Sequence, residues 1–144
     1  MFISTLTERG SMPALIHLLS YTEQRHRMIA ENIANVDTPG YRAKRLDPKA
    51  FEEALGEAMH RRGSDPRNPL TLPLHRQFEV DESGSLRVHP TTGPPRNVLF
   101  HDGTTISIDR EMADLAANAM VHNAATTMLS GKFDGLMTAI RGRL

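Results

Sequence analysis

The chain has 144 residues, of which 39% are hydrophobic and 5% aromatic, and its 17 basic and 17 acidic side chains cancel. This length suits one domain with a modest core, and the balanced charge disfavours binding to nucleic acid or to an anionic membrane by bulk electrostatics. The sequence contains no cysteine, which excludes disulfides, thiolate metal sites and cysteine nucleophiles.

The N-terminal region does not read as a secretory signal. Glu8 and Arg9 stand where a signal peptide would have its apolar stretch, and Met12-Pro13-Ala14 suits the start of a helix better than a cleavage site. No apolar run approaches the roughly 20 residues that a membrane-spanning helix needs. We therefore expect neither a cleaved signal peptide nor a membrane span.

The first predicted element is a helix over residues 12–36, with Ser11 as its N-cap and Pro13 in its first turn. Seven of its positions follow one another at spacings of three and four, as in a helix that packs lengthwise against other helices. They are Leu15, Leu19, Thr22, His26, Ile29, Ile33 and Val36. This stripe predicts a helix–helix interface.

A turn follows the stripe. Asp37 and Thr38 can hydrogen-bond to nearby backbone groups, and Pro39 disfavours the helical conformation at the residue before it. Gly40 can supply the positive φ that a type II turn needs just after proline. The first helix is therefore predicted to end near Val36.

A shorter helix is predicted in the middle of the chain. Asp47-Pro48 can start it, and Phe51, Leu55 and Met59 lie four apart, which gives one narrow apolar stripe. The helix is predicted to end near Arg62. Residues 63–74 contain three prolines, which predict a loop.

Two β-hairpins are predicted beyond this loop. In the first, residues 78–80 pair with residues 86–88 around Asp81-Glu82-Ser83-Gly84. In the second, residues 98–100 and 104–108 flank His101-Asp102-Gly103, whose Asp-Gly pair suits a tight turn.

A second long helix is predicted from Asp109 to a stop at Gly142. Nine positions keep one heptad register without a break, and alanines on their flanks allow close approach of a neighbouring helix. The nine are Met112, Leu115, Ala119, His122, Thr126, Leu129, Phe133, Leu136 and Ile140. The predicted fold is mainly α, with the long N- and C-terminal helices pairing as a coiled coil around a small irregular and β-hairpin middle.

The stripes leave two questions open. They can bury each other within one soluble monomer, or several copies can pack side by side so that each helix gains burial from its neighbours. The polar members near mid-stripe can set the register of the helices or can face solvent. These polar members are Thr22, His26, His122 and Thr126.

The histidines and acidic residues do not form a recognisable catalytic pattern. The sequence has no His-Glu-x-x-His pair, no phosphate-cradling glycine loop and no Gly-x-Ser-x-Gly elbow. His60, His75, His89 and His101 fall outside the strongly periodic segments and are expected to be exposed. The chain is therefore predicted to have no catalytic, cofactor-binding or metal-binding residues and to need no cofactor.

The amino-acid sequence around the first turn resembles that of a known protein family. The run from Ala30 to Tyr41 resembles the signature of the bacterial flagellar rod, hook and hook-associated axial proteins, and the run from Leu129 to Leu136 is similar to that of the proximal rod members. The signature residues are Asn32, Asn35, Asp37, Thr38, Pro39, Gly40 and Tyr41.

The resemblance implies a structural subunit of the proximal rod rather than an enzyme. In such proteins the terminal helices, here within residues 1–41 and 109–144, line an inner tube, and the turn directs the middle segment, here 42–108, outward. Export without a cleaved signal and a periplasmic basal-body location are implied. The implied partners are further copies of the chain, FlgC, FlgF, FlgG, FliE, the MS-ring and the export gate.

A different class of function also fits the stripes. A soluble coiled-coil adaptor or export chaperone would present the same heptad faces to a partner helix and would stay in the cytoplasm. Export therefore separates the two hypotheses.

Overall fold

The structure is a computed structural model, and it describes residues 10–63, 65, 67–92 and 108–142. Within these ranges the chain forms three helices and two small two-stranded antiparallel sheets. The elements are α1 (Met12–Ala34), β1 (Lys44–Arg45), α2 (Pro48–Arg62), β2 (Phe78–Val80), β3 (Leu86–Val88), β4 (Thr91–Thr92) and α3 (Ile108–Ile140). A mainly helical fold with two long terminal helices and a small strand-containing middle is confirmed.

The start of α1 differs from the prediction in one respect. Proline does occupy the first turn, but Ser11 has helical backbone angles, φ −75° and ψ −4°, and its side chain caps nothing. A capping side chain reaches the first free N–H groups from an extended backbone, which Ser11 lacks. The predicted Ser11 cap is therefore wrong, and its buried hydroxyl has no hydrogen-bond partner among the described residues.

Helix α2 begins and ends as its sequence predicts. The Asp47 carboxylate accepts hydrogen bonds from the backbone N–H groups of Lys49, at 3.0 Å, and Ala50, at 3.3 Å, and Pro48 is the first helical residue. These contacts satisfy donors that every helix leaves free at its N-terminus.

The middle segment packs against one side of α1. The Tyr21 ring stacks on Phe51 of α2 with 4.0 Å between centroids, and Phe51 meets the edge of Phe78 at 5.3 Å. The Gln24 side chain donates to Leu86 O at 2.8 Å and accepts from Val88 N at 3.2 Å. Helix α1, α2 and the β2–β3 hairpin therefore share one hydrophobic core.

The strands are short, and the first hairpin has the predicted pairing. Phe78 lies opposite Val88, and Val80 lies opposite Leu86. Strand β1 pairs with β4. The second predicted hairpin falls largely on residues 93–107, outside the described residues, and Ile108, predicted as a strand residue, is instead the first residue of α3.

Helix α3 runs antiparallel along α1 but presents a different face from the predicted one. Its buried residues, Glu111, Asn118 and Ala125, are seven apart and each precede a predicted stripe position by one residue. Met112 and Phe133 are 51% and 50% exposed. As far as Leu129 the buried line is thus offset by one residue from the predicted stripe, whereas beyond Leu129 every described residue of α3 except Lys132 is exposed. The exposed side chains of the stripe are called the open edge of α3. Coiled-coil geometry stays a prediction.

None of the helices in the described part of the chain is both long enough and apolar enough to cross a membrane.

Candidate assembly site

The turn after α1 has the geometry that its sequence predicts. The Tyr41 N–H donates to Thr38 O at 3.2 Å across Pro39 and Gly40, and Gly40 has φ +78°. A positive φ at the residue after proline defines a type II turn. The prediction is confirmed, although α1 ends at Ala34, two residues earlier than expected.

Asn35 stabilises the last turn of α1 rather than packing inside the protein. Its Nδ2 donates to Glu31 O at 2.8 Å, and its Oδ1 accepts from the Thr38 hydroxyl at 3.3 Å. The Glu31 carbonyl also accepts from the Asn35 backbone N–H at 3.2 Å, so Asn35 closes the last turn twice and connects it to Thr38. Asp37, Thr38, Pro39 and Gly40 are exposed.

Asn32 joins three parts of the chain through its side-chain amide and is fully buried. Its Oδ1 accepts from Lys44 N at 3.0 Å and from the Tyr41 hydroxyl at 3.1 Å. Its Nδ2 donates to Lys44 O at 2.9 Å and to Glu111 Oε2 at 3.2 Å. Two donors and two acceptor positions are thus all used. Asn32 fixes the turn, β1 and the start of α3 to the end of α1.

Charges around Asn32 support this joint. The Lys44 ammonium contacts Glu31 Oε1 at 2.5 Å, and this hydrogen bond raises the pKa of Lys44. Burial, together with the nearby Glu31 carboxylate, raises the pKa of the Tyr41 phenol. Tyr41 is therefore protonated at neutral pH and can donate to Asn32.

A ladder of polar contacts continues from Asn32 along the α1–α3 interface. Arg25 pairs with Asp114 at 3.5 Å and donates from Nη1 to Asn118 Oδ1 at 3.3 Å. Asn118 Nδ2 in turn donates to Thr22 O at 2.8 Å. Because buried polar groups are costly when unpaired, these contacts favour one register of α3 against α1.

The polar stripe residues divide between the two alternatives that the sequence left open. The Thr22 hydroxyl lies 2.8 Å from His122 Nδ1, within hydrogen-bonding distance, and 3.0 Å from Leu19 O. This pair links the helices. His26 and Thr126 are exposed.

The remaining predicted seam residues also differ in exposure. In α1 and just after it, Leu15 and Ile29 are buried, and Leu19, Ile33 and Val36 are half-buried. In α3, Leu115, Ala119 and Leu129 are half-buried, whereas Met112, Phe133, Leu136 and Ile140 are exposed. The N-terminal seam is thus largely used inside the monomer, and the C-terminal seam is largely open.

Sequence reasoning missed three buried polar residues of this interface, Glu111, Asn118 and Arg25. A signal for two of them was present, because Glu111 and Asn118 are seven residues apart and continue to Ala125. A search for apolar heptads does not detect this line of residues, because Glu111 and Asn118 are polar. Their partners on α1 lie 79 to 96 residues away in sequence, at Asn32 and Thr22.

The described residues contain no group of three or more histidine, aspartate or glutamate side chains that could hold a metal ion. His60, His75 and His89 are exposed, and His89 contacts Glu79 at 3.1 Å. His17 is buried, which lowers its pKa. His101 lies outside the described residues.

Comparisons with known proteins match the turn and most of the chain. A family model described as flagella basal body rod protein matches residues 19–42, the part of α1 that leads into the turn and the turn itself. The flagellar basal body rod protein FlgB of Yersinia enterocolitica is 30% identical over 131 residues, covering 85% of this chain and 88% of that protein. FlgB of Bacillus subtilis is 29% identical, covering 92% and 95%.

FlgB of Aeromonas hydrophila is 28% identical over 88% of this chain and 89% of its own length. The similarity therefore extends far beyond the turn and includes both long helices. The chain belongs to the FlgB family of flagellar basal body rod proteins, a family of structural components.

Proposed function

We propose that this rod component is a subunit of the proximal rod that assembles through the open edge of α3 and the adjoining face of α1. The observation that carries the proposal is the exposure of α3: the helix is held in register by polar contacts to α1, yet it leaves large apolar side chains exposed. These are Ile108, Met112, Met120, Val121, Phe133, Leu136, Met137 and Ile140. Clustered exposed apolar side chains mark protein–protein contact sites.

The C-terminal part of α3 is the strongest portion of this surface. Phe133, Leu136, Met137 and Ile140 are spaced as one face of a helix, and each is at least 46% exposed. A neighbouring helix would bury that face and gain free energy from it. Packing between subunits would therefore bury the apolar surface of α3 that the monomer leaves exposed.

The joint at Asn32 gives the turn a role in this assembly. It holds the exit from α1 and the entry into α3 at one place, so the middle segment leaves the helix pair in a fixed direction. On this proposal residues 1–41 and 109–144 form the inner-tube part of the subunit, and residues 42–108 form its outer part. No catalytic step is part of the proposal.

The partners follow from the same contacts. Subunits that stack head to tail use two different surfaces, and such contacts generate helical shafts rather than closed pairs. We infer contacts with further copies of the chain and with FlgC, FlgF and FlgG. FliE, the MS-ring and the export gate lie at the base. The subunit reaches the periplasm through the flagellar export apparatus without signal cleavage.

Basal-body purification from the native host tests the proposal. A chromosomally tagged chain is followed through detergent extraction, with a tagged cytoplasmic protein as the control for carry-over. We expect the chain in the basal-body fraction and no rods in a strain that lacks it. A chain found only in the cytosol would contradict the rod assignment and would favour the adaptor hypothesis.

A further inference from the structure

A cavity of about 490 Å³ opens between α1, the connection from β1 to α2 and the first turns of α3. Its charged lining comprises five basic and three acidic side chains, which gives a formal charge of +2. The cavity borders the Asn32 joint, since Lys44 and Glu111 belong to both. Two residues of its lining are therefore held in place by the buried Asn32 amide.

The three carboxylates of the lining are already engaged within the chain. Asp47 accepts from the first backbone N–H groups of α2. Glu111 accepts from Asn32, and Asp114 pairs with Arg25 at 3.5 Å. Of the three, only Asp114 is paired with a cation of the described chain, and hydrogen bonds to neutral donors leave the charges of Asp47 and Glu111 in place, so the lining keeps an excess of two positive charges.

Several cations of the lining keep unused hydrogen-bonding capacity. Arg45, Lys49 and Arg110 make no ion pair with any described residue. Arg25 is 9% exposed, and its Nε is buried without a hydrogen-bond partner in the described part of the chain. The Arg25 guanidinium is already held by Asp114 and Asn118, so Arg45, Lys49 and Arg110 are the cations that an incoming acceptor would meet.

We propose that this cavity receives an acidic side chain from a neighbouring rod subunit. This inference rests on the proposed function, because the neighbour is brought to the cavity by rod assembly. A carboxylate matches the forked donors of Arg45 and Arg110. The volume lies in the range of sites that take a ligand of many atoms, which suits a side chain with its flanking backbone better than an inorganic anion.

The first test is charge reversal in cells. Arg110→Glu removes an unpaired cation of the lining, and an acid in the first turn of α3 is compatible with the helix dipole, so the variant should fold. The matched control is Arg76→Glu, which reverses an exposed charge outside the cavity. We expect Arg110→Glu to lower incorporation into basal bodies at least tenfold and Arg76→Glu to change it less than twofold.

The second test identifies the occupant. p-Benzoylphenylalanine at position 49 is photolysed in purified basal bodies, and the adducts are mapped by mass spectrometry. We expect adducts to another subunit close to an aspartate or glutamate. Reversing that acid to arginine should restore incorporation of Arg110→Glu.

Three results would overturn the inference. Adducts confined to the same chain, for example near Asp102, would show that the chain fills its own cavity. Saturable binding of inorganic phosphate to the purified chain, lost in Arg110→Glu, would show a small-anion site. Equal incorporation of Arg110→Glu and wild type would also refute it. Failure of the wild-type chain to enter basal bodies would instead refute the proposed function.

Discussion

The Asn32 amide shows how one buried polar side chain can organise a junction. Its oxygen faces two donors, Lys44 N and the Tyr41 hydroxyl, while its nitrogen faces two acceptors, Lys44 O and the Glu111 carboxylate. Aspartate lacks the donors and would place a second negative charge beside Glu111. Leucine would leave all four groups unpaired. Only an amide of this length satisfies the arrangement.

Replacing Asn32 with alanine should therefore destabilise the monomer strongly. Several buried groups would lose their partner, at a cost of about 1 to 3 kcal/mol for each buried group left unpaired. We expect the free energy of unfolding, measured by urea denaturation, to fall by about 2 to 4 kcal/mol.

Asn35→Ala is the matched control for that measurement. Asn35 also makes two side-chain hydrogen bonds, but they lie at the surface, where water can replace them. We expect a loss below about 1 kcal/mol. Equal losses in the two variants would show that burial of Asn32 is not what makes its contacts important.

The ends of the helices and the turns follow from chemistry that is local in sequence. Asp47 and Pro48 start α2, and Pro39 with Gly40 forms the type II turn, because each residue acts on backbone within a few positions of itself. The β2–β3 hairpin is predictable for the same reason. Ser11 is an exception, since its backbone conformation depends on packing at the start of α1.

Alanine substitutions at two glycines, Gly40 in the turn and Gly56 in α2, should change the free energy of unfolding in opposite directions. Gly40 has φ +78°, and a Cβ there would meet no atom within 4 Å, so only backbone strain opposes alanine. We expect Gly40→Ala to lower the free energy of unfolding by about 1 kcal/mol.

Gly56→Ala is the companion variant. Gly56 lies within α2 with equal space around it, so alanine should raise stability by about 0.5 to 1 kcal/mol through helix propensity. Both variants are compared by thermal and urea denaturation. Two changes of the same sign would contradict the strain at Gly40.

The face that α3 turns toward α1 could not be predicted in this way. A heptad of apolar residues indicates where a helix can bury surface, but the monomer uses Glu111 and Asn118 because their partners lie on α1. Such pairing depends on contacts between residues far apart in sequence. The sequence stripe remains visible as the open edge at Met112, Phe133 and Ile140.

Considered as a whole, the molecule has one long helix that is packed on two sides and one that is packed on a single side. Helix α1 packs against the middle segment on one side and against α3 on the other, whereas α3 buries only Glu111, Asn118 and Ala125. The contacts between them combine polar pairs, which specify register, with Leu115, Ala125, Met128 and Leu129 packed against the core. On the proposed function, the apolar surface that α3 exposes is the surface that a neighbouring subunit covers.

Phe133→Asp tests whether the exposed apolar surface of α3 serves assembly rather than the stability of the monomer. Phe133 is 50% exposed in the monomer, so the substitution should change the monomer's free energy of unfolding by less than about 1 kcal/mol. In the rod the same side chain would be covered by a neighbour, and an unpaired carboxylate buried there costs several kcal/mol. We therefore expect export to continue while incorporation into basal bodies falls at least tenfold.

The control for Phe133→Asp is Thr127→Asp, which adds the same charge to an exposed position on another side of α3. Leu129→Asp should also block incorporation, but Leu129 packs against the core, so that variant loses monomer stability as well. Thermal melting of the purified chains separates the two effects. Normal rods in Phe133→Asp, with Thr127→Asp equally unaffected, would show that the open edge of α3 is not where subunits meet.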